Sequence, residues 1–273
     1  DQRLVSPVAA LCAISCLLVV GNWAQGLLPG MSGLLHRAAE IAQKGVLLAI
    51  GIMVLRIDGG KLADIGLSQR FLLPGIGAFL ATYGVVNGLG VGVATVIGRP
   101  WGVGVLADRL AMLPTPLIIV VFFAFVEEVV FRGYLQTKLR VVLDANGWPR
   151  RILAVIVAAA LFALLHIPRI LVVGGYVGGQ IAVTLVVLTL SGIAFGLLFE
   201  LSGNLYFVGL IHALGNSWVL LINGFSWGGT TFWLFVGVVL VAYLGVTVAY
   251  RRVAAGTEFT PHLQVRRRGA GST

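Results

Sequence analysis

The sequence predicts an all-α polytopic integral membrane protein, of about eight transmembrane helices, with an active site inside the helix bundle. Three observations carry that expectation. Of 273 residues, 59% are hydrophobic and only 11% charged, against roughly 25% charged in a soluble domain, and the mean hydropathy is +1.01. The apolar residues gather in stretches of the ~20 residues that a helix needs to cross hydrocarbon. Ionisable residues stand inside several of those stretches, where a cost of several kcal/mol marks them by default as functional. No polar stretch is long enough for a separate water-soluble domain, so residues 1–273 read as one transmembrane domain.

The eight candidate spans follow in order. The first runs from about Pro7 to Leu28 and the second from Gly33 to Leu55, its amphipathic start carrying His36, Arg37, Glu40 and Lys44 as an interfacial turn would. A polar connector, Arg56 to Arg70, turns at Gly59-Gly60. The third span, Phe71 to Ile97, is rich in glycine, which suits close helix packing. A loop, Gly98 to Pro114, holds Trp101 as an interface anchor. The fourth span is Thr115 to Val142, and Asn146-Gly147-Trp148-Pro149 leads to the fifth, Arg150 to Ile167, which Pro168 ends. A glycine-rich loop precedes the sixth, Gln180 to Leu201. The seventh is short, Asn204 to Ile222, and the eighth runs from Gly229 to Tyr250. Residues 253–273 form a polar, basic C-terminal tail that includes His262.

The net charge of +9 does not point to nucleic acid. The basic residues sit in short connections and the tail, as topology signals and contacts for membrane lipids do. Most lie on the side shared by both termini, including Arg56, Lys61, Lys138, Arg140, Arg251 and Arg252. The positive-inside rule therefore places both termini in the cytoplasm, with the protein integral to the cell membrane. Cys12 and Cys16 read as buried free thiols, with no disulfide framework and no CxxC motif.

The fourth span carries the strongest signal. Glu127, Glu128 and Arg132 interrupt a run that is otherwise apolar from Leu117 to Phe131. On a helix Glu128 and Arg132 lie ~40° apart, an i,i+4 pair that neutralises itself. Glu127 lies ~140° from Arg132 and stays outside that pair. A desolvated carboxylate there suits a general base. Two further spans bring polar groups to the same depth: His166 near the end of the fifth, and His212 with Asn216, one turn apart, on the seventh. The expectation is that they converge on one water-accessible cavity. Glu127 would take a proton from water, with His166 orienting it, while His212 and Asn216 donate hydrogen bonds to a developing oxyanion. The set also matches the one-carboxylate, two-histidine chemistry of catalytic zinc. No HExxH helix is present to set two ligands a turn apart. No cofactor is therefore expected, with zinc at Glu127, His166 and His212 as the alternative. No Ser-His-Asp or Gly-x-Ser-x-Gly arrangement is evident. Glu200 reads as an interface residue and His36 as solvated.

The ordered set Glu127-Glu128-x-x-x-Arg132, Phe162-x-x-x-His166 and His212-x-x-x-Asn216, on three spans, resembles the CPBP family. These are the type II CAAX-prenyl endopeptidases and their prokaryotic relatives, also called the Abi family. The surrounding Phe131-Arg132-Gly133-Tyr134-Leu135-Gln136 and Ser202-Gly203-Asn204-Leu205-Tyr206 agree with it. The likeness covers about 115–222, the motif-bearing core, and extends to the first three spans only in general hydropathy. It implies a prokaryotic intramembrane endopeptidase acting on a membrane-associated protein or peptide. The same resemblance implies that Glu127 and His166 activate the water, that His212 and Asn216 form the oxyanion hole, and that Glu128 and Arg132 support the site. Older descriptions of the family as metalloproteases keep the metal question open. The alternative class is a non-catalytic transporter or adaptor that binds a ligand or partner through the polar cluster. The sequence contains no matching broken helices in inverted halves to support it. Oligomeric state and substrate are not legible.

Overall fold

The computed structural model describes residues 2–26, 33–113, 115–222 and 230–253. The tail expected beyond Val253, with His262, lies outside the described residues. Among those described, every regular element is helical, and β contact is limited to an isolated antiparallel bridge between Trp101 and Ile222. The protein is thus an all-α membrane protein. Among the described residues, five helical stretches have the length and composition to cross a membrane: Gly33–Ile57, Leu62–Val96, Trp148–Val173, Gly179–Ser202 and Phe235–Val253. The expectation of eight is not reached by that measure, for identifiable reasons. The fourth is interrupted at its charged motif, and the helix of the seventh stops at Ser217.

The chain forms two compact units. One takes the residues up to Ser68 together with Val126–Leu205, and the other takes Gln69–Phe125 and the described residues from Tyr206 onward.

In the first unit, α1 (Gln2–Gly26) packs on α2 (Gly33–Ile57). Cys12 and Cys16 are free, as expected, but exposed rather than buried. The inward face of α1 is set by Ile14 and Asn22, and an outward thiol on a lipid-facing helix has no strong polar group to desolvate. The most extensive pairing joins α7 (Trp148–Leu164) to α8 (Gly179–Ser202). Small residues permit it. A Cβ on Gly192 would come within 2.9 Å of the Ala159 Cβ, and one on Gly196 within 2.8 Å of Val155 Cγ1.

The helix that begins as α5 (Leu117–Glu128) does not continue as an α-helix. It widens into a π-helical stretch, Val129–Gln136, before resuming as α6 (Thr137–Val142). Such stretches are rare and frequently sit at functional sites. Neighbours fasten this one along its length. The Tyr134 hydroxyl donates to Asp58 at 3.0 Å, Gln136 Nε2 donates to the Gly196 carbonyl at 3.1 Å, and Gly133 lies so close to Ile65 that a Cβ would stand 2.9 Å from Ile65 Cδ1. Within the widened turn, Thr137 Oγ1 donates to the Arg132 carbonyl five residues back.

α7 ends at Leu164, earlier than Ile167. The physical cause is Pro168. Its ring would collide with the carbonyl four residues earlier, that of Leu164, and it has no N–H to donate there. The chain turns and then forms a second short π-helical stretch, Arg169–Val173.

In the second unit, α3 (Leu72–Val96) packs on α10 (Thr230–Val253). The loop expected between Gly98 and Pro114 contains a short amphipathic helix, α4 (Val103–Ala111). Gly102, at φ 124°, supplies the left-handed turn in front of it. α9 (Leu205–Ser217) ends where Trp218 takes φ 47°. Two anchors catch the chain that leaves it. The Asn87 Oδ1 accepts from the Leu221 amide at 2.7 Å, and the Gly102 amide donates to the Leu221 carbonyl at 2.7 Å.

Candidate active site

The four site residues expected from the sequence divide between the units. Glu127 and His166 belong to the first, with Glu128 and Arg132. His212 and Asn216 belong to the second.

Glu128 and Arg132 form the predicted pair. Arg132 Nη1 donates to Glu128 Oε1 at 2.7 Å, with the side chains 2% and 0% exposed. The guanidinium has further holds. Nη2 donates to the Gly192 carbonyl at 3.3 Å, and the group lies over the Phe162 ring at 4.7 Å and the Phe195 ring at 5.6 Å. The carbonyl of Gly192 is within reach because the glycine lets α8 come in close. This pair is sealed structure rather than a reactive group.

Glu127 faces another way, as the helical angle requires, and meets a cation that sequence reasoning did not pair with it. Lys44 of α2 donates to Glu127 Oε1 in a hydrogen-bonded ion pair. The two side chains are 12% and 11% exposed, so this pair is more open than the one beside it. Lys44 was assigned to the interfacial start of the second span. No local signal could have found the contact, because 83 residues separate the partners.

His166 lies past the end of α7, and the break gives it a defined orientation. Its own amide donates to the Ala163 carbonyl at 3.0 Å, not to that of Phe162 as an α-helix would require. The Phe162 carbonyl is instead met by His166 Nδ1 at 2.7 Å. A carbonyl can only accept, so Nδ1 carries the hydrogen and Nε2 is the acceptor nitrogen of the neutral ring. The Phe162 ring lies 4.4 Å from the imidazole centroid and holds it from the side. Glu127 and Lys44 both act electrostatically on this ring, so the structure brings Glu127 and His166 into one neighbourhood.

In the second unit, α9 carries His212 and Asn216 one turn apart. His212 is buried at 4% exposure, and Asn216, in the last turn, is exposed.

Two further charge clusters in the first unit were missed. Glu200 is no interface residue: its side chain is 1% exposed, meets Arg140 at 3.4 Å and accepts from Gln136 at 3.1 Å. Asp58 takes Lys138 at 2.9 Å as well as Tyr134. His36 is half-exposed, 3.8 Å from Glu40.

Among the described residues, no three His, Cys, Asp or Glu side chains stand together as ligands for a metal ion. The Lys44 ammonium meets the Glu127 carboxylate at Oε1.

An all-α protein with membrane-crossing helices and buried ion pairs, one carboxylate of which acts electrostatically on an oriented imidazole, belongs to the class of polytopic membrane proteins with buried polar groups. Comparison narrows the class. The family model for type II CAAX prenyl endopeptidase Rce1-like proteins matches residues 109–218, the segment that holds all six motif residues. Through this segment the chain is similar to that family. No curated protein and no solved structure matches the chain.

Proposed function

We infer that the chain is an intramembrane endopeptidase that hydrolyses peptide bonds with a metal-free, glutamate- and histidine-activated water. The carrying observation is that Glu127 and the Nε2-accepting His166 share one neighbourhood inside the segment matched by the protease family. In the step proposed, the oxygen of a water attacks the scissile carbonyl carbon while its proton passes to the Glu127 carboxylate, with His166 Nε2 accepting a hydrogen bond that orients the water. His212 and Asn216 donate to the resulting oxyanion. The tetrahedral species collapses, the C–N bond breaks, and Glu127 returns the proton to the leaving amine. The substrate class is a membrane-associated protein or peptide, and both termini face the cytoplasm.

The test is digestion of a peptide library, prenylated and unprenylated, by the purified protein and by Glu127→Gln in detergent, with products read by mass spectrometry. Loss of at least ~100-fold in Glu127→Gln is expected, the usual scale for a general base. A library that the parent leaves uncut, or that Glu127→Gln cuts equally well, overturns the reading. A parallel digestion with a membrane-permeable chelator should proceed unchanged. Chelator-sensitive cleavage restored by zinc would replace the metal-free mechanism and leave the protease standing.

A further inference from the structure

The pair between Lys44 and Glu127 joins the candidate site to an element that the family match does not reach, since the match begins at residue 109. We propose that Lys44 is a positioning residue for Glu127, fixing the carboxylate in the orientation from which it takes the proton of water. The proposal rests on the reading of Glu127 as general base.

A glutamate carboxylate turns about a broad terminal torsion with no sharp rotamer of its own. Something outside the side chain must therefore set its plane. Around Glu127 the Lys44 ammonium, bound to Oε1, is a group placed to do so. Lys44 is itself well placed to do this, because α2 is held on either side of it. Seven residues further along α2, two turns on the same face, Gly51 lies against the π-helical stretch, where a Cβ would stand 2.9 Å from Val130 Cγ2. One turn before Lys44, Glu40 meets Arg169 at 3.4 Å, in the segment just after His166. The backbone that carries Lys44 is thus tied to both neighbours of the catalytic pair: to Val130, three residues from Glu127, and to Arg169, three residues from His166. A side chain that serves only to neutralise charge needs no such register. Displacements of about 1 Å in a reacting group can cost ~100-fold in rate, so the orientation has kinetic consequence.

The experiment measures kcat and KM for the peptide that the parent cuts fastest, with melting temperature alongside, in Lys44→Met, Lys44→Gln, Lys44→Arg and Glu127→Gln, and in Lys44→Met combined with Glu127→Gln. Lys44→Met should lower kcat by ~10- to 100-fold with KM within about twofold. Lys44→Arg, which restores a cation, should recover most of the rate. Residues acting as a unit are non-additive, so Lys44→Met should cost nothing further once Glu127 is glutamine. Should Lys44→Met not fold, Lys44→Gln, whose neutral amide ends one bond short of the ammonium and so loses its hold on the carboxylate, is expected to show the same kcat loss. Unchanged kcat in folded Lys44→Met or Lys44→Gln, a loss as large in Lys44→Arg as in Lys44→Met, or an equal further loss in the Glu127→Gln background each overturns the proposal. Full activity of Glu127→Gln would instead overturn the general-base reading and take this one with it. A dead Glu127→Gln beside fully active Lys44 variants overturns only the role of Lys44.

Discussion

Replacing Arg132 by alanine should damage the fold more than replacing Glu127. Arg132 is 2% exposed and Glu128 0%, so the substitution strands a carboxylate where water cannot compensate it. Breaking a buried pair by removing one partner costs about 3–5 kcal/mol. The cation over Phe162 and Phe195 contributes on the order of 1 kcal/mol more, and the Gly192 carbonyl loses a charged donor. These terms share one guanidinium and do not add in full, so about 4 kcal/mol is a fair total. At ~2–4 °C per kcal/mol for a chain of this size, the melting temperature in detergent should fall by on the order of 10 °C. Glu127→Ala strands Lys44, whose side chain is 12% exposed and whose flexible stem can carry the ammonium toward water, so its fall should be several-fold smaller. A control isolates the cause. Because an apolar or neutral replacement of both partners is cheaper than loss of one, Glu128→Gln with Arg132→Met should melt above Arg132→Ala. Equal melting of Arg132→Ala and Glu127→Ala would refute the division of labour between the two glutamates.

Asn216→Ala should reduce cleavage by about 100-fold, the scale of a lost oxyanion donor, with little change in melting temperature because the side chain is exposed at the end of α9; kcat values of the two proteins check it. Gly192→Leu should destabilise the first unit by more than the ~1–3 kcal/mol typical of overpacking, since its first added carbon already meets Ala159 at 2.9 Å and the displaced helix also withdraws the carbonyl that Arg132 uses. Thermal melts would show it, and a melt matching the parent would mean that α7 and α8 do not pack as described. Gly66→Ala should be costly through its backbone as well: φ is 86° and a Cβ would lie 2.6 Å from the Gly203 carbonyl oxygen, and its melt should fall below that of Gly77→Ala, where a Cβ meets nothing within 4 Å.

What the sequence made legible was what depends on short separations. Glu128 and Arg132 are four residues apart, and the widened helical turn left that pair intact, so the angular reasoning survived an element it did not foresee. Pro168 marked a helix end to within a few residues, and the clash with the Leu164 carbonyl explains the remainder. The π-helical stretch itself had no local marker, because tertiary holds on Tyr134, Gln136 and Gly133 maintain it. Lys44 and Glu200 were misjudged for a related reason. Lys44 was read as part of an amphipathic span start and Glu200 stands near a predicted span end, places where charge is normally solvated, and each is covered by a partner from a helix distant in sequence. The outward placement of Cys12 and Cys16 shows the complementary limit: in a chain apolar on nearly every face, hydropathy does not separate the lipid side of a helix from its packed side.

Four of the ion pairs in the first unit are sorted by their choice of cation. Glu128 and Glu200 are met by arginines, Arg132 and Arg140, with carboxylates 0% and 1% exposed. Asp58 and Glu127 are met by lysines, Lys138 and Lys44, with carboxylates 13% and 11% exposed. A guanidinium is a rigid fork with several donors, and at Arg132 it is also held by a carbonyl and two rings, so the carboxylate it binds is committed to structure. An ammonium is a compact point charge on a flexible stem. It can hold one carboxylate oxygen and yet shift as charge moves onto a bound proton. Adjacent glutamates on one helix thus receive opposite treatment. Glu128 is locked by the group least able to let go, and Glu127 is steered by the group best able to yield, in the position with more access to water. On the proposed mechanism Glu127 exchanges a proton in every cycle, and reversed roles would seal that carboxylate in the core. The substitution Lys44→Arg therefore carries a second expectation: a recovered rate that still falls short of the parent, because the fork that restores the charge also grips the base more tightly than turnover favours.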